Sequence, residues 1–238
     1  MTTTSANDSM EVITTVLSLN IEHSATRAAM LDGHLAHRLT MSGFAHLLPQ
    51  YDFFTGIAHG HADHRSSLNV LFAASVRPNG TLLLRIQSDR SPDFTIGACD
   101  YWRGAIVPSS PPVTRHWSVP ATGVIRYQIR ANPTVTSNGR RRALNRVGEQ
   151  LQWWTRQARG AGLELVPGTL AVDEPMTLEF SSKVRAQDVN APRWIMPTHR
   201  FSGTATISDP RAHRDALVRG IGRGRPYGAG LLLTMRAT

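Results

Sequence analysis

The chain has 238 residues, 41% of them hydrophobic and 18% charged, with a formal net charge of +9. This suits one large or two small globular domains with a real core. No apolar run approaches the ~20 residues of a membrane-spanning helix, and the single Cys99 excludes an internal disulfide framework and a cysteine-rich zinc site. Nothing reads as a secretory leader, so a reducing cytoplasm is the expected compartment, with no membrane association.

Residues 1–9 are small and polar and read as an unstructured start. The β-branched run "MEVITTVLSLN" predicts a strand. Asp32 supplies an N-cap for a helix carrying His34, His37 and Met41, with Gly33 blurring its start. The segments "SLNVLFAASV" and "TLLLRIQS", joined through Pro78-Asn79-Gly80, predict a β-hairpin. The Pro- and Ser-rich stretch "VPSSPPVTRHWSVPATG" predicts a connection between two halves, 1–118 and 119–238.

The second half reads as β-α-β-β-α-β. "GVIRYQIRA" alternates as a strand does. A helix is predicted over 143–160, with Leu144, Val147, Leu151, Trp154 and Ala158 on one stripe. "LELVPGTLAV" and "MTLEFSSKVR" predict strands, a loop near 188–192 leads to the strand "WIMPTHRFSGTATI", and "GAGLLLTMRA" ends the chain as a strand. Between the last two, Asp209 caps a helix with Pro210 at its first position, and Gly220 closes it. Two helices on one face of a four-stranded antiparallel sheet make a ferredoxin-like unit. The first half reads as a degenerate copy whose second helix and fourth strand are not visible. The expected fold class is therefore α+β, two tandem ferredoxin-like domains.

Charge is distributed unevenly. Residues 1–119 hold 8 Arg and 9 acidic residues, and residues 120–238 hold 17 Arg, Lys183 and 8 acidic residues, so the halves carry −1 and +10. A preference for arginine codons would explain Arg over Lys, but not this asymmetry. A basic half points to a polyanion, with arginine suited to bidentate phosphate contacts and stacking.

Four constellations could carry chemistry. "GIGRGRPYGAG", residues 220–230, offers glycines that let backbone N–H groups approach an anion and arginines that add charge. It is neither a Walker A loop nor a dinucleotide fingerprint. Arg140, Arg141, Arg142 and Arg146 open the predicted helix; Lys183, Arg185, Arg193 and Arg200 flank the 188–192 loop with Trp194 among them, a mixture that suits a nucleic-acid backbone and a stacking surface. "HGHADH" carries His59, His61 and His64 in a metal-ligand spacing, with His116 and His199 available as further ligands. It lacks the apolar strand that such a motif follows. Finally, His34 and His37 stack one turn apart. Such a pair can also be an ordinary helix surface and seam, and a zinc site there would need a third ligand.

Three stretches are together similar to one family. "HRFSGTATISDPRAHRDALVRGIGRGRPYGAGLLLTMRA" resembles the C-terminal end of the type I-E CRISPR repeat-processing endoribonucleases, the CasE subunit of Cascade. "YQIRANPTVT" followed by "LNRVGEQLQWWTRQARGAGLEL" resembles the family's centre, and "HRLTMSGFAHLLP" its N-terminal helix. Residues 50–115 carry little of the resemblance. It implies two ferredoxin-like domains and cofactor-free, metal-independent cleavage of CRISPR repeat stem-loops in precursor crRNA. It also implies that the enzyme stays with the mature crRNA beside the other Cascade subunits. His37 falls on the family's catalytic histidine. The position three before it, often an assisting Tyr in the family, is His34 here, and Ser42 stands near a lysine of some members.

The implied chemistry needs one group to take the 2′-OH proton and one to protonate the leaving 5′ oxygen. Histidine, with an ordinary pKa of ~6.5, suits both. The expected catalytic residues are His37 as base and His34 as orienting group or acid. The expected RNA-binding set is Arg140, Arg141, Arg142, Arg146, Lys183, Arg185, Arg193, Arg200, Gly222, Arg223, Gly224, Arg225 and Tyr227. The alternatives are a zinc-dependent hydrolase built on "HGHADH" and an RNA-binding subunit without activity.

Overall fold

The computed structural model describes residues 9–48, 51–52, 57–58, 67–95, 102, 104–173, 175–180 and 194–237. Strand β1 (Ser9–Asn20) leads into helices α1 (Ser24–Leu31) and α2 (Gly33–Ser42). A short ribbon follows, β2 (Tyr51–Asp52) with β3 (Ile57–Ala58), and then β4 (Leu71–Val76), β5 (Thr81–Ser88) and β6 (Val113–Pro120). The first sheet has the order β4-β5-β1-β6, antiparallel throughout.

The second half contains β7 (Gly123–Ala131), β8 (Thr134–Ser137), β9 (Arg140–Ala143), α3 (Val147–Gly160), β10 (Leu163–Leu165), β11 (Ala171–Val172), β12 (Met176–Phe180), β13 (Trp194–Ile207), α4 (Pro210–Arg219) and β14 (Leu232–Arg236). Its sheet has the order β10-β13-β7-β14, with β11 and β12 also paired to β13 and β8–β9 forming a separate ribbon. In both halves the second strand of the unit lies beside the third, then the first, then the fourth. That is the ferredoxin-like order expected from the sequence.

Several elements follow from their residues. In β7, Ile125, Tyr127, Ile129 and Ala131 are buried while Val124, Arg126 and Gln128 are exposed, the period-2 pattern of a sheet covered on one face. Asp209 accepts from the N–H groups of Arg211 and Ala212 at 2.9 and 3.0 Å, so α4 starts where its cap predicts. Trp153, Trp154 and Phe201 pack with centroids 5.6–6.4 Å apart, and the Trp154 indole donates to Tyr127 Oη at 3.1 Å. Truncating a buried tryptophan such as Trp154 costs about 3–5 kcal/mol.

Other elements differ from the expectation. The Pro- and Ser-rich stretch is not simply a connection, because its second part is β6, paired with β1 from Ser9↔Pro120 to Val16↔Val113. This is the fourth strand that the first half lacked on paper. It is an edge strand exposed from Val113 to Ser118, so no burial period marked it, and its proline sits at the end, where strands tolerate one. The expected boundary after residue 118 falls within β6; sheet membership changes between Pro120 and Gly123. Helix α1 was not foreseen; His23 Nδ1 caps it by accepting from Ala25 N at 3.2 Å. The predicted helix over 143–160 begins only at Val147, and its buried stripe is Gln150, Trp153, Trp154 and Ala158, with Val147 exposed. "LELVPGTLAV" is two short strands, β10 and β11, interrupted by a turn at Pro167-Gly168.

The cores interlock. Val12 of β1 and Val119 of β6 pack into the second half's core, and the buried Gln87 of β5 donates to the Leu217 carbonyl of α4 at 2.6 Å. Among the described residues no helix is long and apolar enough to cross a membrane.

His213 sits in α4 at 1% exposure, and among the described residues neither ring nitrogen has a hydrogen-bond partner. Burial pulls its pKa from 6.5 to about 4. The unfolded chain therefore takes up this proton first as pH falls. Stability should decline between pH 6.5 and about 4, by roughly 3 kcal/mol at ~1.4 kcal/mol per pKa unit. Thermal melts across that range should show this slope in the wild type and a much flatter one in His213→Leu; equal slopes would show that His213 is not the group responsible.

Candidate functional site

Helices α1 and α2 meet at Asp32. Its backbone N–H closes α1 on the Ala28 carbonyl, and its carboxylate accepts from His34 N at 2.7 Å as the N-cap of α2. The expected cap is thus in place, and it fixes the first turn on which His34 and His37 ride. Leu39 and Met41 point into the core, while His34 and His37 are half-buried on the side facing the second half. Ser42 is buried and donates to the Leu39 carbonyl at 2.7 Å, so it is turned into its own helix.

The second half reaches these histidines through the glycine-rich loop. A 3-10 turn, Arg225–Tyr227, is bracketed by Gly224 and Gly228 at φ of 81° and 83°, a region that suits glycine. A Cβ on Gly228 would meet the Phe72 ring at 2.8 Å, and one on Gly224 would meet the Met196 side chain at 2.6 Å. The loop is therefore wedged against β4 on one side and β13 on the other. Its backbone is held from within by Tyr227 N donating to Gly224 O at 2.8 Å and Ile221 N to Gly230 O at 2.9 Å, and it is tied to β7 by Gly230 N donating to Arg130 O at 2.7 Å. Arg225 donates to the Arg219 carbonyl at 2.8 Å, closing the end of α4, and Arg223 is exposed. Gly222 lies against the Trp153 ring.

Tyr227 is where the halves meet. Its ring packs edge-to-face on His34, centroids 5.3 Å apart and planes at 88°, and on His37 at 6.4 Å and 71°. Burial first, and the Asp32 charge second, push its phenol pKa up, so the hydroxyl keeps its proton at neutral pH. Strand β12 also lies against α1 and α2.

The arginine cluster is placed differently from the expectation. Arg140, Arg141 and Arg142 do not open a helix; they form β9, antiparallel to β8. Asn138 and Gly139 join the strands with φ of 50° and 70°, the positive pair of a tight hairpin turn. All three arginines are exposed, and so is Arg146, the residue preceding α3. Arg142 reaches back to Glu149 with two nitrogens at 2.9 and 3.4 Å, which raises its own pKa and lowers that of Glu149. Between β7 and the ribbon, Asn132 bridges to Arg223. A continuous path thus runs from the ribbon through the glycine-rich loop to the two histidines.

The base of the ribbon is braced by two residues that sequence reasoning gave no such role. The buried Gln150 amide donates to the Leu144 carbonyl at 2.8 Å and lies 3.1 Å from His199 Nε2. An amide N–H must donate, so His199 accepts there as neutral imidazole, consistent with a pKa lowered first by burial. His199 is thereby engaged in the second half, and His116 lies exposed, 3.7 Å from Glu11. Among the described residues no group of three or more His, Cys, Asp or Glu side chains is arranged to hold a metal ion. Arg200 is exposed and ion-paired with Asp173. Lys183, Arg185, Arg193 and the His59, His61 and His64 cluster lie outside the described residues, as does the side chain of Trp194.

The chain matches the family model of the CRISPR associated protein over residues 14–236. It is 27% identical over 128 residues to CRISPR-associated endoribonuclease Cse3 of Thermus thermophilus, covering 51% of this chain and 60% of that protein. The matched stretch therefore spans less than two thirds of that relative. The structure is similar to that of Thermus thermophilus Cse3 bound to an RNA representing a pre-cleavage complex, with a TM-score of 0.73 at 22% identity, covering 95% of this chain and 100% of that one. A chain of a CRISPR RNA-guided surveillance complex is similar with a TM-score of 0.56 at 21% identity, covering 94% and 100%. At these identities the structural likeness is one of fold.

Proposed function

The chain belongs to the CRISPR associated protein family, and from that premise we propose that it is an endoribonuclease that cuts CRISPR repeat stem-loops in precursor crRNA. The observation that carries this reading is the pair His34 and His37, half-buried on α2 and walled by Tyr227 from the other half. Two imidazoles one helical turn apart, in a chain whose other half is basic, suit acid–base work on a phosphodiester. The relatives support the substrate class, since Cse3 is named an endoribonuclease and its structure holds an RNA.

RNA carries its own nucleophile. The 2′-OH upstream of the scissile phosphate attacks in line as His37 takes its proton, and the 5′ oxygen leaves with a proton. The products are a 2′,3′-cyclic phosphate and a 5′-OH. His34 donates that second proton, or it orients the phosphate and a water donates the proton. Each well-placed transfer is worth about 10²–10⁴-fold, so the reaction needs no metal. The first half supplies the histidines and the basic second half holds the stem, chiefly through its backbone and A-form shape. After cutting, the protein stays on the mature crRNA within Cascade, in the cytoplasm.

The test is cleavage of a cognate repeat hairpin in excess EDTA, with the product ends read by mass spectrometry. A cyclic phosphate and a 5′-OH, formed at an unchanged rate, are expected. Stoichiometric zinc together with loss of cutting on chelation would overturn the reading in favour of a metal site at His59, His61 and His64. Tight binding with no cutting under any condition would leave an RNA-binding subunit.

A further inference from the structure

Tyr227 lies 190 residues from His37 in the chain, yet its ring touches the rings of both histidines. The contact is not the product of a floppy loop. Gly224 and Gly228 on either side of the turn are packed against Met196 and Phe72, and the Tyr227 N–H is bonded within the turn. Ile221 and Ala229, within the same loop, are buried. The loop therefore presents Tyr227 at a fixed height over the first turns of α2.

An edge-to-face contact restricts how an imidazole turns about its χ2, because the ring quadrupole favours the perpendicular arrangement over others. A base or acid works only within hydrogen-bond reach of its proton. Displacement of a reacting group by ~1 Å can cost about 10²-fold in rate.

We propose that Tyr227 is a positioning residue for cleavage, its ring serving as a shared wall that sets the planes of His34 and His37, so that the site is complete only when the glycine-rich loop is docked on α2. This rests on the endoribonuclease reading above. It assigns the ring, rather than the phenol hydroxyl, to the task, and it differs from a role for Tyr227 in stacking on RNA. Burial and the Asp32 charge keep the hydroxyl protonated, so the ring presents no new charge to the histidines.

The experiment compares Tyr227→Phe, Tyr227→Leu and Tyr227→Ala with the wild type and with His37→Ala. Single-turnover cleavage at saturating enzyme and hairpin affinity are measured separately, and melting temperatures verify folding. Tyr227→Phe should cleave within a few-fold of wild type. Tyr227→Leu, which keeps bulk but no ring face, and Tyr227→Ala should lose about 10²-fold in rate with affinity within a few-fold. A phenylalanine variant as slow as the alanine one would move the role to the hydroxyl and overturn the proposal. Affinity falling in step with rate would make Tyr227 an RNA contact instead. Wild-type rates in all three variants would remove any role. If the wild type does not cut the hairpin, the endoribonuclease reading fails; if the wild type cuts and both His37→Ala and the Tyr227 variants cut as fast, that reading stands and this proposal falls.

Discussion

His37→Ala should slow single-turnover cleavage of a cognate repeat hairpin by about 10²–10⁴-fold, the range for losing one general base, while hairpin affinity stays within a few-fold. The two halves of that expectation have separate causes. His37 sits on the half with a net charge of −1, and the arginine ribbon belongs to the other half, so little ground-state attraction to the phosphate backbone is lost. What is lost is an interaction made in the transition state, and that appears in the rate alone. His34→Ala separates its two possible roles: a loss as large as that of His37→Ala identifies an acid, and a milder one an orienting group. A 2′-deoxy substitution at the scissile nucleotide should block the wild type completely because the nucleophile is gone. Should His37→Ala cut within a few-fold of wild type while His34→Ala does not, the roles are misassigned. If neither is impaired, the pair is an ordinary helix surface.

The triple change of Arg140, Arg141 and Arg142 to alanine should act in the opposite sense. Affinity at low salt should drop by about two orders of magnitude, and the plot of log affinity against log salt should flatten by about 2–3 units, three phosphate contacts at roughly 0.7–0.9 each. Cleavage at saturating enzyme should change only a few-fold. The ribbon earns this expectation by geometry: a hairpin whose second strand opens with three consecutive exposed arginines puts Arg140 and Arg142 on one face and Arg141 on the other. Arg142 is tethered to Glu149, so its guanidinium starts close to a fixed position. A loss of affinity that did not vary with salt would mean the ribbon acts by shape or folding instead of charge.

Much of the fold was legible because burial leaves a period in the residues. The alternation in "GVIRYQIRA", the Asp209-Pro210 cap and the hairpin through Pro78-Asn79-Gly80 are local signals, and each element lies where they place it. The misread segments share one property, namely that their local pattern was silent or pointed elsewhere. Strand β6 is an exposed edge, so nothing alternates until Val119. The arginines of β9 precede a genuine helix and read as its beginning, although Asn138-Gly139 is a strong hairpin signal. Gln150 reads as a polar residue on a helix, and only its burial between Leu144 and His199 reveals the brace.

The same division runs through the candidate site. By itself the sequence determined the fold class, the asymmetry of charge, the cap at Asp32 and the one-turn spacing of His34 and His37, because each depends on residues within a few positions of one another or on composition. Only the tertiary structure decided that the glycine-rich loop stands over α2, that its glycines are packed against Phe72 and Met196, and that Tyr227 meets both histidines. Contacts between residues 190 positions apart leave no period or spacing in the chain. They exist because two sheets with buried faces share a seam, joined by Val12, Val119 and Gln87, that fixes where each half presents its loops.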